Sequence, residues 1–436
     1  MNRSSKLTSL LVVFAAALGF ALWPGFAVSA ATAPQSCAWI VSPTYNSENI
    51  LYPDVATLYL AALVPAPPGG RVEINGQMPH ARYFSLQTYT DTLQPISRLH
   101  DTQIVPDKGS INPYRTGAKR NAKNRSYTIN VVAGKAPAKG GARNTLYQTS
   151  ASGESGYAIV LRVYVADKGD TPDGNVAPPQ LTIVSASGQK LAVPPCPDIL
   201  PDTTALNKLI VGLPEPVSPP TQVLAQPTPD WHKYVNAPSS VATIYTDNPL
   251  TEDSLTAQLA VLAGKLPAGF GENIDNKYIY TGLSTEYGDV VVLHGKLPTT
   301  PHTYGHEARM GTGQMRYWSM CSGNQTTQTY GCLFDEQVPT TSKGYFTVVI
   351  SPAQDRPADA VAKCGFGWIP WGPLPQTLVL MRNMLPAAGF KHSIQDATDT
   401  NFRKVLGPYF PQSRYYKTAA DFDAAHGCPR VTRTSR

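Results

Sequence analysis

The two halves of this chain contain the same four short blocks in the same order. Residues 71–79 (RVEINGQMP) and 81–86 (ARYFSL) of the first half correspond to residues 291–298 (VVLHGKLP) and 315–320 (MRYWSM) of the second. Residues 127–132 and 158–164 correspond in the same way to residues 345–350 and 377–383. A repeated order of blocks is typical of one structural unit that occurs twice in a chain.

The composition of these blocks indicates β-strands. They are short, rich in Val, Ile, Tyr and Phe, and bounded by Gly, Pro, Asn and Asp. We therefore expect an all-β protein of two tandem antiparallel β-sandwich domains, jelly-roll-like, with a few short peripheral helices. The two segments with helical signals are residues 251–262, which have an acidic first turn, and residues 418–426, which precede a glycine.

Proline marks the boundary between the two predicted domains. Prolines crowd residues 194–229, and a chain so rich in proline continues neither a helix nor a central strand. We predict a first β-sandwich domain at 31–198, an extended linker at 199–230 and a second β-sandwich domain at 231–436, each domain long enough to bury its own core.

The first thirty residues have the pattern of a secretory signal. Arg3 and Lys6 precede an apolar run at 7–20, and small residues at 27–30 offer a cleavage site. We expect a signal peptide at 1–30 and a secreted or periplasmic protein with no membrane span after cleavage. An uncleaved anchor is the alternative, because the apolar stretch approaches the length that spans a bilayer.

The six cysteines predict disulfides, since an exported chain folds in an oxidising compartment. Their positions favour three pairs: Cys37 with Cys196, Cys321 with Cys332, and Cys364 with Cys428. The alternative is a thiolate metal site, but no pair has the CxxC spacing that zinc sites favour.

The charge of the chain argues against nucleic acid as a partner. The formal net charge is +6, and it becomes +4 when Arg3 and Lys6 leave with the signal peptide. No basic helix face and no basic stripe interleaved with aromatic residues is apparent. The basic cluster at 115–125 lies among Gly, Ala and Asn, so we expect a solvated loop there.

The repeated blocks carry a resemblance to a known family. The matching motifs are residues 82–85, 144–147 and 161–164 in the first half and 316–319, 368–371 and 380–382 in the second. In their order, these motifs resemble those of the bacterial jelly-roll proteins called domain of unknown function 1254/1214. The resemblance implies the fold and names no activity. The chain departs from that family because it repeats the jelly-roll-like block instead of pairing it with a different domain.

Four arginines recur at corresponding places in the two repeats. Arg82 and Arg162 lie in predicted strands of the first half, and Arg316 and Arg382 lie in those of the second. We favour structural pairing with carboxylates across the sheet. The functional alternative is a fork for a carboxylate or phosphate ligand, which makes Arg316 and Arg382 candidate ligand-binding residues.

Aromatic residues cluster in the second half. Tyr317, Trp318, Trp368 and Trp371 are candidate ligand-binding residues, since exposed aromatic faces beside polar donors hold small ligands and sugars. For any one of them, packing in the core is the alternative. Trp371 is the better candidate because proline and glycine place it in a loop.

A stretch rich in histidine lies in an insertion that only the second repeat has. His302, His306 and Glu307 are candidate catalytic residues there, and Asp335 is a fourth candidate nearby. Histidines four residues apart bind a metal when they share a helix face. Here neighbouring proline and glycine predict a loop, so we predict neither a metal site nor a cofactor.

Two functional hypotheses follow. In the first, the protein is a non-catalytic binder of a glycan, a small molecule or a protein partner in the envelope or outside the cell. In the second, it is a secreted hydrolase of glycan or ester substrates, with its site around residues 299–314 and 364–373. No Gly-x-Ser-x-Gly motif supports the second hypothesis. Ligand identity and oligomeric state stay open.

Overall fold

The structure, a computed structural model, describes residues 37–39, 49, 52–90, 94–138, 140–196, 225–234, 271–324, 328–398 and 400–428. Within these residues the chain forms eighteen strands and two short α-helices, so the predicted all-β fold is confirmed. The predicted signal peptide, the predicted helix at 251–262 and the predicted linker up to residue 224 lie outside the described residues.

The first half of the molecule contains two sheets. Its strands are β1 (Thr57–Leu63), β2 (Arg71–Gln77), β3 (Ala81–Tyr89), β4 (Pro95–His100), β5 (Ser126–Lys135), β6 (Thr145–Thr149), β7 (Ala158–Ala166), β8 (Gln180–Val184) and β9 (Lys190–Val193). One sheet, which faces the other half of the molecule and is called the inner sheet, has the order β1-β7-β3-β4. The other, called the outer sheet, has the order β6-β5-β2-β8-β9.

The second half also contains two sheets. Its strands are β10 (His232–Tyr234), β11 (Asn276–Ser284), β12 (Val290–Lys296), β13 (Met315–Gly323), β14 (Thr329–Phe334), β15 (Tyr345–Ser351), β16 (Gly367–Pro370), β17 (Gln376–Pro386) and β18 (Gln412–Tyr416). The inner sheet has the order β10-β11-β17-β13-β14, and the outer sheet has the order β16-β15-β12-β18.

The two halves have the same strand order once the edge strands β9 and β10 are set aside. The series β1-β7-β3-β4 corresponds to β11-β17-β13-β14, and β6-β5-β2-β8 corresponds to β16-β15-β12-β18. Each half also has one parallel pair, β5 with β6 and β15 with β16, which the sequence did not indicate. A parallel pair needs a crossover connection in place of a tight hairpin.

Each half has an apolar core between its two sheets. Val72 and Ile74 of β2 are fully buried there in the first half, and Phe346, Val348 and Ile350 of β15 are fully buried in the second. The spacing of two residues directs these side chains to one face of the strand. Removing each of them from water contributes roughly 1.5–3 kcal/mol to folding.

The central strands of the inner sheets are buried on both faces. All of β3 is buried, and β13 is buried except at the half-buried Arg316. Phe84 and Trp318 face the core of their own half. Tyr83 and Tyr317 instead meet in a cluster that contains residues of both halves. The inner sheets therefore form the interface between the halves.

The end of the predicted linker packs against the second half. Ala225 is buried and forms a parallel bridge with Gly282, and Trp231 is buried in the second core. These contacts begin inside the segment that we expected to be a linker, at 199–230.

The two α-helices are α1 (Phe402–Leu406) and α2 (Ala419–Ala425). The second confirms the helix predicted at 418–426. The Thr418 hydroxyl accepts a hydrogen bond from the Asp421 N–H, and the Asp421 carboxylate accepts one from the Thr418 N–H, which forms a capping box. Phe422 fixes the helix to the sheet through a cluster with Val290 and Val349.

All six cysteines form disulfides, in the three pairs that their positions predicted. The bonds join Cys37 to Cys196, Cys321 to Cys332, and Cys364 to Cys428. The first joins the two ends of the first half, and the second links the neighbouring strands β13 and β14. No helix in the described part of the chain is long and apolar enough to cross a membrane.

Candidate functional site

Arg82 forms a buried ion-pair cluster at the interface between the halves. Its guanidinium is fully buried and contacts the carboxylates of Asp335 and Glu336, which follow β14 in the opposite half. Its Nε also donates to the Thr303 hydroxyl at 3.1 Å. Three acceptors therefore surround one buried cation, which offsets the large cost of its desolvation.

The opposite half repeats this contact in reverse. Arg316 of β13 lies 3.2 Å from the Asp101 carboxylate, which follows β4 in the first half. Its Nη1 also donates to the Arg82 carbonyl at 3.2 Å. Asp101 and Asp335 each open a short 3-10 turn directly after the corresponding strand. The two arginines thus reach across the interface in a reciprocal pair.

Two tyrosines form a second reciprocal pair. The Tyr83 hydroxyl donates to Asp275 at 2.7 Å, and the Tyr317 hydroxyl donates to Asp54 at 2.8 Å. Burial, together with the adjacent carboxylate, raises the pKa of both phenols well above the ordinary value. Both hydroxyls therefore stay protonated donors, and Tyr317 serves the interface between the halves.

Arg382 is also buried at this interface. Its Nη1 lies 3.3 Å from Asp54 and contacts the Cys321 sulfur at 2.6 Å, and its Nη2 donates to the Tyr52 carbonyl. Its guanidinium carbon lies 5.6 Å from the centre of the Tyr278 ring. The protein itself therefore supplies the anion for this predicted ligand-binding arginine.

The predicted aromatic ligand residues do not converge on one surface. Trp318 and Trp371 are buried in the second core together with Phe346. Trp368 is half-buried, and its ring is covered by the Arg356 guanidinium at 4.2 Å. These side chains have packing partners inside the protein.

The structure separates the predicted catalytic histidines. His302 is 76% exposed and lies 3.4 Å from Glu336, whereas His306 lies 3.7 Å from Asp167 of the first half. Glu307 is half-buried beside them, and Asp335 is held by the Arg82 guanidinium.

Groups with metal-ligating atoms occur at three places in the described residues. Two of them include disulfide-bonded cysteines, whose sulfurs are not thiolates. The third contains Asp167, Asp170 and His306. Burial alone would raise the pKa of Asp167, the contact with Arg120 opposes it, and the pKa remains above its ordinary value. The Asp167 carboxylate is therefore already paired with a cation of the protein.

The inserted segment 299–314 fastens the second half to the first. The buried Arg120 donates to the carbonyls of Thr303 and Glu307, each at 3.1 Å. Backbone hydrogen bonds join Gly117 and Met310 at 2.8 Å and Lys168 and Tyr304 at 2.9 Å. This insertion therefore links the two halves, and we call its contacts with Arg120, Gly117 and Lys168 the clamp.

An open groove of about 340 Å³ lies where the two ends of that insertion meet the segment that follows β17. Its walls are hydroxyls, an amide, backbone and one aromatic ring: Thr299, Thr312, Gly313, Gln314, Ala387, Gly389 and Phe390. Gln314 fixes its shape because its side-chain oxygen accepts from the Thr299 N–H at 3.1 Å and its amide nitrogen donates to Tyr409 at 3.1 Å. The volume lies at the low end of small-molecule sites, about 300–1,000 Å³.

The sequence indicated Asp335 and the segment 299–314, but it did not indicate three other carboxylates of the interface or the wall of the groove at residues 387–390. Asp54, Asp101 and Asp275 stand alone in the sequence, with no motif around them. Their partners lie far away along the chain, at separations of 263 residues for Asp54 and Tyr317, 215 for Asp101 and Arg316, and 192 for Asp275 and Tyr83. The only available signal was the Arg-Tyr-aromatic-Ser repeat, which marks one side of each contact.

The comparisons with known proteins concern structure alone. No family model matches the chain, and no curated protein matches it. An uncharacterised protein from Burkholderia cenocepacia aligns with 95% of this chain and 97% of its own, with a TM-score of 0.49 and 12% identity. A structural-genomics target from Vibrio parahaemolyticus aligns with 84% of this chain and 90% of its own, with a TM-score of 0.38 and 12% identity. Neither description names an activity.

Proposed function

We propose that this is an exported, non-catalytic binding protein whose groove at residues 299–314 and 387–390 holds a neutral polar ligand, a glycan in the first instance. The chain carries two related β-sandwich units, which we attribute to duplication of one ancestral unit. The family resemblance to the domain of unknown function 1254/1214 proteins is compatible with this proposal and adds no activity to it.

Export is supported by the cysteines and by the N-terminal sequence. All six thiols are oxidised in disulfides, which persist in the periplasm or outside the cell. The basic, apolar and small-residue order of residues 1–30 is that of a secretory signal.

The wall of the groove is the observation that carries the binding proposal. Its side chains offer hydroxyl, amide and aromatic contacts, and those contributed by the described part of the chain include no carboxylate, imidazole, thiol or amine. Hydrogen-bonding groups beside an aromatic ring suit a neutral polyhydroxylated ligand. General acid–base chemistry requires a titratable group within hydrogen-bonding reach of the substrate.

The hydrolase alternative depends on the histidine segment. His302 and His306 face different carboxylates, and Asp335 is paired with Arg82. An acid–base pair needs two groups that share one substrate-sized space. The contacts of these residues therefore favour the binding proposal.

Gly389 offers a direct test of the groove. An added Cβ at Gly389 would meet no atom within 4 Å, so Gly389→Leu should fill the groove without straining the fold. The measurement is isothermal titration of a panel of neutral oligosaccharides into the full-length mature protein, with product analysis of each mixture. Ala192→Leu, at an exposed position on β9, adds the same side chain elsewhere as a control.

The proposal predicts that at least one oligosaccharide binds the wild type and Ala192→Leu equally, binds Gly389→Leu at least about tenfold more weakly, and is recovered intact. Cleavage of an oligosaccharide, or binding that Gly389→Leu leaves unchanged, would contradict it.

A further inference from the structure

The two inner sheets contain an equivalent arginine–serine pair. Ser85 of β3 lies opposite Arg162 of β7, and Ser319 of β13 lies opposite Arg382 of β17. All four side chains are at least 96% buried, because none exceeds 4% exposure. A buried guanidinium beside a hydroxyl offers several hydrogen-bond donors to one anion. We call each such arginine–serine pair a fork.

In the second half the fork is filled by the protein itself. An oxygen of the Asp54 carboxylate lies 3.3 Å from Arg382 Nη1 and accepts a hydrogen bond from the Ser319 hydroxyl at 2.6 Å. A carboxylate thus occupies the space between the guanidinium and the hydroxyl.

In the first half, no carboxylate of the described residues forms an ion pair with Arg162, the arginine of the equivalent pair. Arg162 Nη2 donates to the Tyr89 hydroxyl, while Arg162 Nε and Arg162 Nη1 have no hydrogen-bonding partner among the described residues. The Ser85 hydroxyl adjoins the Tyr83 phenol and contacts no carboxylate of the described residues. The ring centres of Tyr59 and Tyr89 lie 5.9 and 5.6 Å from the guanidinium carbon. Burial favours the neutral form of Arg162, but the surrounding phenols outweigh it and raise the pKa, so the group stays a cation.

One difference between the halves accounts for the contacts of the nearby carboxylate Asp275. Arg98 pairs with Gln87 across β3 and β4, at the place where the second half has the Cys321–Cys332 disulfide. Arg98 Nε lies 2.6 Å from Asp275, which also accepts from Tyr83. Asp275 is therefore held by Arg98, and within the described part of the chain one carboxylate lies here beside two arginines, Arg98 and Arg162.

We propose that Arg162 and Ser85 form a binding site for a small monovalent anion, a halide or a carboxylate group, at the interface between the halves. The anion accepts from Arg162 Nε and Nη1 and from the Ser85 hydroxyl, as the Asp54 carboxylate does in the second half. An unpaired buried charge costs several kcal/mol, so the bound anion stabilises the joined halves. The site is separate from the groove of the proposed function.

Two measurements on the full-length mature protein test this site. The first is an anomalous difference map from crystals grown in sodium bromide. The second is Tm in sodium bromide, sodium formate or sodium acetate against a bulky sulfonate at the same ionic strength. The halide and carboxylate arms distinguish the two sources of the anion.

The site predicts a bromide peak within hydrogen-bonding distance of Arg162 and Ser85. It also predicts a saturable rise in Tm on the order of a few degrees in at least one small anion. Arg162→Met should abolish the dependence of Tm on the anion, and Ser85→Ala should weaken the affinity about tenfold. Ser319→Ala is the matched control, and it should lower Tm while keeping the anion dependence.

Two results would overturn the proposal. One is a bromide-free map at Arg162 together with equal Tm values in all the salts. The other is a dependence on anions that persists in both Arg162→Met and Ser85→Ala.

Discussion

At the residue scale, three of the four repeated arginines contact carboxylates of the opposite half, whereas Arg162 donates to the Tyr89 hydroxyl. Arg82 contacts Asp335 and Glu336, and Arg316 contacts Asp101. The expectation of structural pairing is consistent with these contacts, although the partners come from the other half. An arginine that is buried in a strand requires an anionic partner. The sequence does not show which distant carboxylate that partner is.

Arg82 and Arg316 should contribute different amounts to the free energy of unfolding. Arg82 is fully buried between two carboxylates, whereas the Arg316 side chain is 13% exposed and has one. We expect Arg82→Met to lower the free energy of unfolding by about 3–5 kcal/mol because it strands buried anions. Arg316→Met should cost about 1–3 kcal/mol.

Urea denaturation with matched m-values measures both changes. Arg115→Met, at an exposed arginine, is the control and should change stability by less than about 0.5 kcal/mol. Equal losses for Arg82→Met and Arg316→Met would refute this ranking.

The pKa of Glu336 predicts loss of stability in acid. Burial alone would raise this pKa, but the Arg82 guanidinium and the backbone N–H groups of Thr303 and Tyr304 outweigh it and lower the pKa below 4.5. A lowered folded pKa stabilises the protein above the unfolded pKa, and this stabilisation is lost as the pH falls through the folded value.

We therefore expect Glu336→Gln to be less stable than the wild type at pH 7, with a difference that shrinks below about pH 4.5. Free energies of unfolding for both proteins between pH 7 and pH 3 provide the measurement. Other titrating groups are common to the two proteins, so a difference that stays constant with pH would exclude this role of Glu336.

At the scale of elements, the inserted segment 299–314 has two roles. Its middle part, around Thr303 and Glu307, contacts Arg120 of the first half. Its two ends, at Thr299 and 312–314, form one wall of the groove. The sequence marked this segment as an insertion. It also suggested a solvated loop for residues 115–125, and that expectation is wrong for Arg120 and Arg125, which are 3% and 6% exposed.

Removal of the Arg120 side chain should release the clamp. We expect Arg120→Ala to raise the amide exchange rate of residues 303–310 at least about tenfold, because two charge-assisted hydrogen bonds to carbonyls are lost. Hydrogen exchange followed by mass spectrometry gives the rate. Arg309→Ala, which removes one exposed hydrogen bond to Gly117, should have a smaller effect. Unchanged protection in Arg120→Ala would show that other contacts hold the segment.

Local sequence signals predicted several elements correctly. The register of the strands was harder to predict from the sequence. Capping residues placed α2, and cysteine positions gave the disulfide pairs. However, the structure aligns the block at 127–132 with the block at 345–350 one residue away from the alignment that the sequence suggested. Gly76 pairs with Tyr127 and Gly295 with Phe346, although the sequence blocks matched Tyr127 with Tyr345. Because side chains alternate between faces, a shift of one residue exchanges core and surface, and pairing partners settle it.

At the scale of the molecule, four sheets lie in two sandwiches that meet through their inner sheets. Tyr83 and Tyr164 of the first half pack with Tyr317, Phe334 and Met384 of the second. The fold class could be predicted from strand composition. The interface could not, because it depends on contacts between segments more than two hundred residues apart. The sequence pointed to residues 299–314, which form one wall of the groove, but not to residues 387–390, which form the other wall from a separate segment.

We expect the reciprocal contacts to make the two sandwiches unfold as one cooperative body. Proteins of two domains commonly unfold in separate steps, so differential scanning calorimetry tests the claim most directly. We predict a single transition for the wild type, with equal calorimetric and van't Hoff enthalpies, and two resolved transitions when Arg82→Met and Arg316→Met are combined. Two transitions in the wild type, at positions that the paired substitutions do not move, would contradict it.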